Sequence, residues 1–459
     1  MPFTQHLVVS PGITEGVNSA RFGSVRFGMG AVAVVLGVSV LAACTSASTS
    51  TSTAPASNPT GPIIIGASLS LSPGPAANPD PFQADGLAFD KGYQLWVNDV
   101  NAHGGLLGRK VVLKIIDDGG LPNQVVTNYQ ILFGQDHVDL AFGPFSSLLS
   151  APASAVAARY GYAFVEGAGG APSVFNTVSN QADRNTFDVS LPIADEMVPF
   201  VHWIASLLPS ERPKTAAYPM AQDPFADPPV ELAQTLLQNL NIKTVYSNTF
   251  QEVQSAYTAP AQAVAASGAQ LVVLGSTDVP TVQTFMQVFQ QQHYTPKLFI
   301  AASGPDQGAA FVTAVGQGNE NGMMVPNGWY PGYDNAASQQ MVSEYLAQYH
   351  GTASGINADV AEAYSVGQIM AQAIIATHST DNAKIIAYLH SGVTLHSVQG
   401  PVRFDALGEN GAAAAFVFQW QQGKFVQVLP SMAGSTVIDK TAWVNAATTS
   451  PTSSPTASP

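Results

Sequence analysis

The stretch GLAFDKGYQLWVNDVNAHGGLLGRKVVLKIIDDGGLPNQ, residues 86–124, contains a helix, its stop, a strand and the strand's exit. Phe89, Tyr93, Trp96 and Val100 recur at i, i+4, i+7 and i+11, the spacing of one helical face. Gly104 and Gly105 end that helix, as glycines beyond a helix C-terminus commonly do. KVVLKII (110–116) then reads as a buried strand that runs into Asp117-Asp118.

Outward from this unit the alternation continues. IIIGASLSL (63–71) is a strand before the helix; Val125, Tyr129 and Leu132 stripe the next helix, VDLAFG (138–143) is a strand, an Ala-rich helix covers 147–159, and YAFVEG (162–167) is a fourth strand. A second run follows: a helix through Val198, Val201, Ile204 and Leu207, strands TAAYP (215–219), TVYS (244–247), LVVLG (271–275) and LFIAA (298–302), with helices at 230–240 and through Val282, Phe285 and Phe289. Two such runs predict an α/β protein of two doubly wound parallel-sheet lobes. After about 335 the chain turns helical, and AAFVFQWQQGKFVQVLP (414–430) reads as a hairpin turning near Gln422-Gly423.

The chain of 459 residues has a net charge of −14, with 46% hydrophobic and 10% charged residues. An acidic body without basic stripes is repelled by phosphate backbones, so nucleic-acid binding is not expected. A lone cysteine excludes an internal disulfide and a multi-thiolate metal site. Arg21 and Arg26 precede the apolar run MGAVAVVLGVSVLAA (29–43), the pattern of a signal peptide over residues 1–43. At roughly 15 residues the run is shorter than the ~20 needed to span a bilayer. Leu41-Ala42-Ala43-Cys44 resembles the lipobox of bacterial lipoproteins, which makes Cys44 the expected lipidation site and the anchor to the outer face of the cell membrane. The Ser/Thr-rich segment 44–61 and the tail 446–459 bury almost nothing and are expected to be disordered.

In open parallel sheets ligands lie beyond the carboxyl ends of the strands, here segments rich in Gly, Ser and Asp. GPFSS (143–147) is the most informative. A helix starting near Ser147 offers unpaired N–H groups and a positive dipole end to an anion, while Ser146 or Ser147 can equally serve as its N-cap. No nucleophile elbow, zinc-protease motif or phosphate loop is present; GQGNENG (316–322) has the wrong spacing for a dinucleotide loop, and the nine His are scattered. Neither an enzyme nor a cofactor is indicated. Asp117-Asp118 reads as one turn cap and one solvated carboxylate.

The run 86–124 with GPFSS and YAFVEGAGGAPSVF (162–175) resembles the leucine/isoleucine/valine-binding family, type I periplasmic-type substrate-binding proteins of ABC transporters. Its N-x-x-GG-x-x-GR core is Asn101, Gly104, Gly105, Gly108 and Arg109. The resemblance implies lobes joined by three crossover strands near 189–191, 325–328 and 397–402. Lobe one would comprise 62–189 plus 328–397, and lobe two 190–327 plus 398–445. It also implies that Ser147 holds a ligand carboxylate, with Ser146 beside it. Ala168, Gly169 and Gly170 would follow in the next loop, where Gly170 lacks the hydroxyl usual in amino-acid binders. Phe225 would line the cleft from the second lobe, and Thr277 falls near an aromatic position. Ser303 stands near the acid that pairs with a ligand ammonium, an absence that Glu166 or Asp278 would have to make good. Trp329 and Phe82 are candidate aromatic walls, with core packing the competing role.

The implied function is a monomeric solute-binding lipoprotein that delivers an amino acid, amide or small carboxylate to an ABC permease. Solutes without a charged amine fit the substitutions at least as well as a branched-chain amino acid. A sensor of the same fold and, more remotely, an envelope hydrolase are the alternatives.

Overall fold

A computed structural model of the chain describes residues 61–75, 79–175, 185–431 and 436–439. The leader, Cys44, nearly all of the Ser/Thr tether and the tail lie outside the described residues. The first lobe alternates β1 (Ile63–Leu69), α1 (Gln83–Ala102), β2 (Val111–Asp117), α2 (Pro122–Gly134), β3 (Leu140–Phe142), α3 (Ser147–Tyr160), β4 (Phe164–Glu166), a single turn α4 (Pro172–Phe175) and β5 (Thr186–Asp188). Its strands pair in parallel in the order β2-β1-β3-β4-β5. The second lobe begins with α5 (Val198–Ser206), β6 (Thr215–Ala221), α6 (Asp227–Asn239), β7 (Lys243–Phe250) and α7 (Thr258–Ser267). It continues with β8 (Leu271–Leu274), α8 (Val279–Gln291), β9 (Leu298–Ala301), α9 (Gly308–Val315) and β10 (Met323–Asn327).

The chain then returns to cover the first sheet with α10 (Ala336–Tyr349), α11 (Ala358–Thr377) and α12 (Asn382–Leu389), followed by the small pair β11 (Leu395–Ser397) and β12 (Gly400–Val402). It finishes as the hairpin β13 (Phe416–Gln421) and β14 (Lys424–Leu429), which extends the second sheet to β14-β13-β10-β9-β8-β6-β7. The hairpin strands are antiparallel, so the second sheet is mixed. Gln422 and Gly423 both have positive φ, 52° and 73°, as a two-residue hairpin turn matched to strand twist requires.

The lobes are joined three times. The first passage leaves β5 at Asp188 and reaches the second-lobe core at Met197. The second runs from β10 back to Trp329, which lies in the first-lobe core. The third falls between Phe404, still packed on Phe187 in the first lobe, and Phe416 in β13. That is later than the 397–402 region implied by the resemblance, because β12 and its exit continue to bury Val398, Val402 and Phe404 against the first sheet.

The predicted stripe on α1 forms its buried face: Phe89, Tyr93 and Trp96 are at most 1% exposed, while Val100 is half-buried. Each fully buried side chain of this size contributes roughly 1.5–3 kcal/mol. The stripe packs on α11 at very close range, and Gly367 makes this possible: a Cβ there would lie 2.1 Å from Trp96 Cδ2. The N-x-x-GG-x-x-GR core is also explained by packing. The Asn101 side chain exchanges two hydrogen bonds of 2.8 Å with the Val111 backbone, pinning the end of α1 to the start of β2. Arg109 donates to the carbonyls of Gly61 and Pro62 at 2.7 and 2.9 Å and holds the entry to β1. This core positions the sheet and stands away from the cleft.

Candidate functional site

The carboxyl ends of both sheets face a cavity between the lobes that encloses about 710 Å³ of space, part of it open to solvent. From the first lobe, the β3–α3 turn supplies Phe145 and Ser146, and the β4 exit supplies Gly167, Ala168 and Gly170; Phe82 enters from the start of α1. From the second lobe come Phe225, Thr277, Ser303 and Asp306, while Asn327 and Gly328 belong to the second passage.

Ser146 is the serine that faces the cavity. It is the N-cap of α3, its Oγ accepting from Leu149 N at 3.4 Å, with φ 78° and ψ 150°. This region is almost reserved for glycine, and a non-glycine residue there costs of order 1–3 kcal/mol, a strain typically kept at functional sites. Ser147 is fully buried and its hydroxyl accepts from Ala171 N at 3.2 Å, so it is turned into the first lobe and does not line the cavity. Of the two roles that the sequence left open for this turn, Ser146 carries the cap, and it is also the serine that lines the cavity. The sequence placed the ligand contact on Ser147, the first residue of the helix, but a helix starting there points that side chain back at the next loop.

Gly169 also stays out of the cavity. It packs against the Glu166 carboxylate, and a Cβ there would lie 2.4 Å from Oε2. Gly170 lines the cavity beside Asp188, whose Oδ2 would be 2.7 Å from an added Cβ, so this wall has no room for a threonine. Trp329 does not line the cavity: it is 1% exposed, and its indole N–H donates to Ser338 Oγ at 2.8 Å, which anchors the second passage in the core. Thr277 is held by Glu252, to which its hydroxyl donates, and Ser303 is fixed through its carbonyl by Ser276 Oγ at 2.7 Å.

Glu166 and Asp278 are not solvated loop residues. Glu166 is fully buried beneath the β4 exit and accepts from Ala168 N at 3.1 Å. Asp278 is the N-cap of α8, accepting from Thr281 N at 2.9 Å. Neither lines the cavity.

Instead, five other acids do. Asp188 ends β5, Glu196 lies on the first passage, Asp306 precedes α9, and Asp359 and Glu362 lie one turn apart at the start of α11. No Lys, Arg or His is among the described lining residues. Burial, the largest influence, pushes every one of these carboxyls up; Asp306 rises to about 6. Mutual repulsion adds to this: Glu362 feels Asp359, Asp188, Asp306 and Glu196. Two of the oxygens, Glu196 Oε2 and Asp359 Oδ2, are buried without a hydrogen-bond partner in the protein. Sequence reasoning missed this wall. An acid in the first turn of a helix, such as Asp359, is an ordinary partner of the helix dipole, and one a turn further on, such as Glu362, reads as a surface residue; neither carries a signature of a site. Only the return of α11 to the first lobe turns them toward the cleft.

Comparison with known proteins agrees with this architecture. The family model of periplasmic binding proteins matches residues 37–424. The chain belongs to that family, and its relatives there are leucine/isoleucine/valine-binding proteins. One, Leu/Ile/Val-binding protein BraC3 of Rhizobium johnstonii, is 36% identical over 94 residues, which is 20% of this chain and 25% of the relative. The Leu/Ile/Val-binding protein homolog 3 of Brucella melitensis is 21% identical over 75% of this chain and 90% of its own length. Among solved structures, the branched-chain amino acid transporter substrate-binding protein LivJ of Streptococcus pneumoniae, in complex with isoleucine, superposes with a TM-score of 0.66 at 17% identity, covering 79% of this chain and 97% of that one. A solute-binding protein of R. palustris in complex with benzoate gives 0.67 at 16%, covering 83% and 99%. These relatives and neighbours are substrate-binding proteins, not enzymes.

Proposed function

We propose that the chain is the extracytoplasmic receptor of an ABC importer, that it takes up a small organic solute bearing a protonated amine, and that it passes the solute to a membrane permease. The acid wall carries this reading. Five carboxylates face the cavity with no base among the described lining residues, and two of their oxygens lack partners in the protein. Buried carboxylates in this state favour a cation, which replaces the hydration they have lost. They also take over the task of the acid that Ser303 lacks, so a charged amine is accommodated after all. The opposite end of the solute, a carboxylate or other acceptor, meets Ser146 and the positive end of α3.

Both lobes contribute to the wall, and contacts to the second lobe favour the closed, liganded state. The lipid anchor at Cys44 and a monomeric state belong to the same proposal; the anchor would keep the receptor beside its permease. Among the described residues no helix is long and apolar enough to cross a membrane.

A thermal-shift screen of the purified full-length chain tests the reading against amino acids, amines, amides and aromatic acids. A ligand at ~100 times its dissociation constant adds about 2.7 kcal/mol, or roughly 2–4 °C here. Shifts confined to amine-free acids would overturn the amine assignment.

A further inference from the structure

Next to the inner cavity lies a larger groove enclosing about 1860 Å³, again between the lobes, and Phe82 lines both. The groove is acidic as well. Asp80, Asp85, Glu252 and Asp278 line it, with no Lys, Arg or His among the described lining residues. The whole chain carries 30 acids and 16 Lys or Arg. At that ratio, the nine acids of the two compartments would be accompanied by about five bases, and none is among the described lining residues.

Local structure gives partners to three of the four groove acids: Asp80 accepts from Phe82 N at 2.9 Å, Asp278 caps α8, and Glu252 accepts from the Thr277 hydroxyl. Asp85 is different. It is 1% exposed in the first turn of α1, and its Oδ1 accepts from Gln307 Nε2 of the opposite lobe. Its Oδ2 is buried without a hydrogen-bond partner in the protein. The charged groups around it are Asp359 from α11, Asp306 from the loop before α9 and Asp278 from the start of α8, all acids. Asp85 and Asp359 meet side chain to side chain, a contact that two ionised carboxylates keep only with a proton or a cation between them. Asp359 lines the inner cavity and Asp85 the outer groove, so the pair bridges the two compartments. Glu252 extends the track on the far side, next to Asp223 and Asp278.

We infer that the cleft takes an elongated solute with at least two cationic nitrogens, one held by the inner wall and the other reaching past Phe82 to Asp85 and Glu252. The inference rests on the reading that the cleft binds an amine. A single ammonium satisfies one end of this track; a linear diamine or oligoamine satisfies both, with its methylenes along Phe82 and Phe145, whose rings lie 5.9 Å apart.

The test is calorimetric titration of the full-length chain at pH 7.5 with butylamine, 1,4-diaminobutane, spermidine and leucine, in two buffers of different ionisation heat. Diamine or triamine should bind at least ~10-fold more tightly than butylamine, since a buried charge pair is worth that much or more. Proton release should accompany binding, and affinity should rise with pH as the carboxyls give up their protons. Asp85→Asn should weaken 1,4-diaminobutane at least ~10-fold more than it weakens butylamine or leucine. Glu252→Gln, farther from the core, repeats the test if the first variant folds poorly. Equal affinity for mono- and diamines, or equal losses for both in the variants, would overturn the inference and leave a proton shared within the Asp85–Asp359 pair as its only role. Leucine binding without amine binding would sink the inference alone. Failure of every amine and amino acid would remove the underlying reading with it.

Discussion

Two sets of carboxylates, one at the exit of β2 and one lining the cavity, differ in what their oxygens meet. Asp117 and Asp118, at the end of β2, are fully engaged. Asp118 accepts from Ser68 Oγ and Ser70 Oγ at 2.8 Å and from Gly120 N at 3.0 Å; Asp117 accepts from the backbone of Leu71, Ser72 and Gly119 and from the Ser72 hydroxyl. They staple the exit of β1 to the exit of β2 within one lobe. Burial pushes Asp117 up, but the Ser72 hydroxyl and the backbone donors outweigh it and hold its carboxyl below the usual range. The cavity acids have few such donors, and their carboxyls lie above the usual range. At Asp118 burial outweighs even these donors and its carboxyl is raised, so what separates the two sets is the supply of partners and not the direction of the shift. The same residue type is structural where donors from its own lobe meet it, and left short of partners where they do not.

Breaking the staple should have the largest effect. Asp118→Ala leaves two buried hydroxyls and an N–H without their acceptor and should cost about 3 kcal/mol in urea unfolding. A cost near zero would mean the staple is not what orders these loops. In the wall the sign should reverse. Glu362→Gln removes a repelled, buried charge, so the unliganded chain should gain roughly 0.5–1 kcal/mol. Affinity for an amine should fall ~10-fold or more in titration calorimetry. Loss of stability without loss of affinity would place Glu362 with the staples.

The wall also sets the pH dependence. Carboxyls whose folded values rise above the unfolded one bind protons more tightly when folded. Their contribution to stability is therefore full below the unfolded value of 3.8 for Asp and is lost as pH rises through the folded value, about 6 for Asp306. The melting temperature of the ligand-free chain should fall from pH 5 to pH 8, and an amine ligand should flatten that slope. Asp117 works in the opposite sense, with its stabilisation lost as pH falls through its lowered folded value. That loss falls below about pH 4, so between pH 5 and pH 8 Asp117 adds no slope, and a melting temperature that stays flat or rises across this range would show that the wall carboxyls are not raised into it.

The smallest effect separates the two adjacent serines. Ser146→Gly relieves the backbone strain at φ 78° and removes a long cap bond, so stability should change by less than about 1 kcal/mol while affinity falls. Ser147→Ala should cost about 1 kcal/mol by leaving Ala171 N unpaired, with affinity unaffected. The reverse pattern would return the ligand contact to Ser147.

Local pattern was enough to read most elements. The α1 stripe, the second-lobe strands β6 to β9 and the Gln422-Gly423 turn depend on spacing that a few residues display by themselves. Helices α7, α9 and α12 escaped because their faces are short or Ala-rich, so apolar periodicity barely rises above the background. At the site, Phe82, Ala168, Gly170, Phe225, Thr277 and Ser303 were named from the sequence and do line the cavity. Trp329, Gly169 and Ser147 were named with them and lie in the packing instead.

The alternation of strand and helix by itself determined two α/β lobes with a polar cleft at the strand ends, because sheet and helix periodicities are local properties of the chain. Tertiary structure decided the character of that cleft. Asp85, Asp188, Asp306 and Asp359 are far apart in sequence, and each alone reads as an ordinary cap or surface acid. Only when α11 returns to the first lobe and the second lobe faces it do they lose water together, and that shared desolvation turns separate carboxylates into a wall that favours a cation.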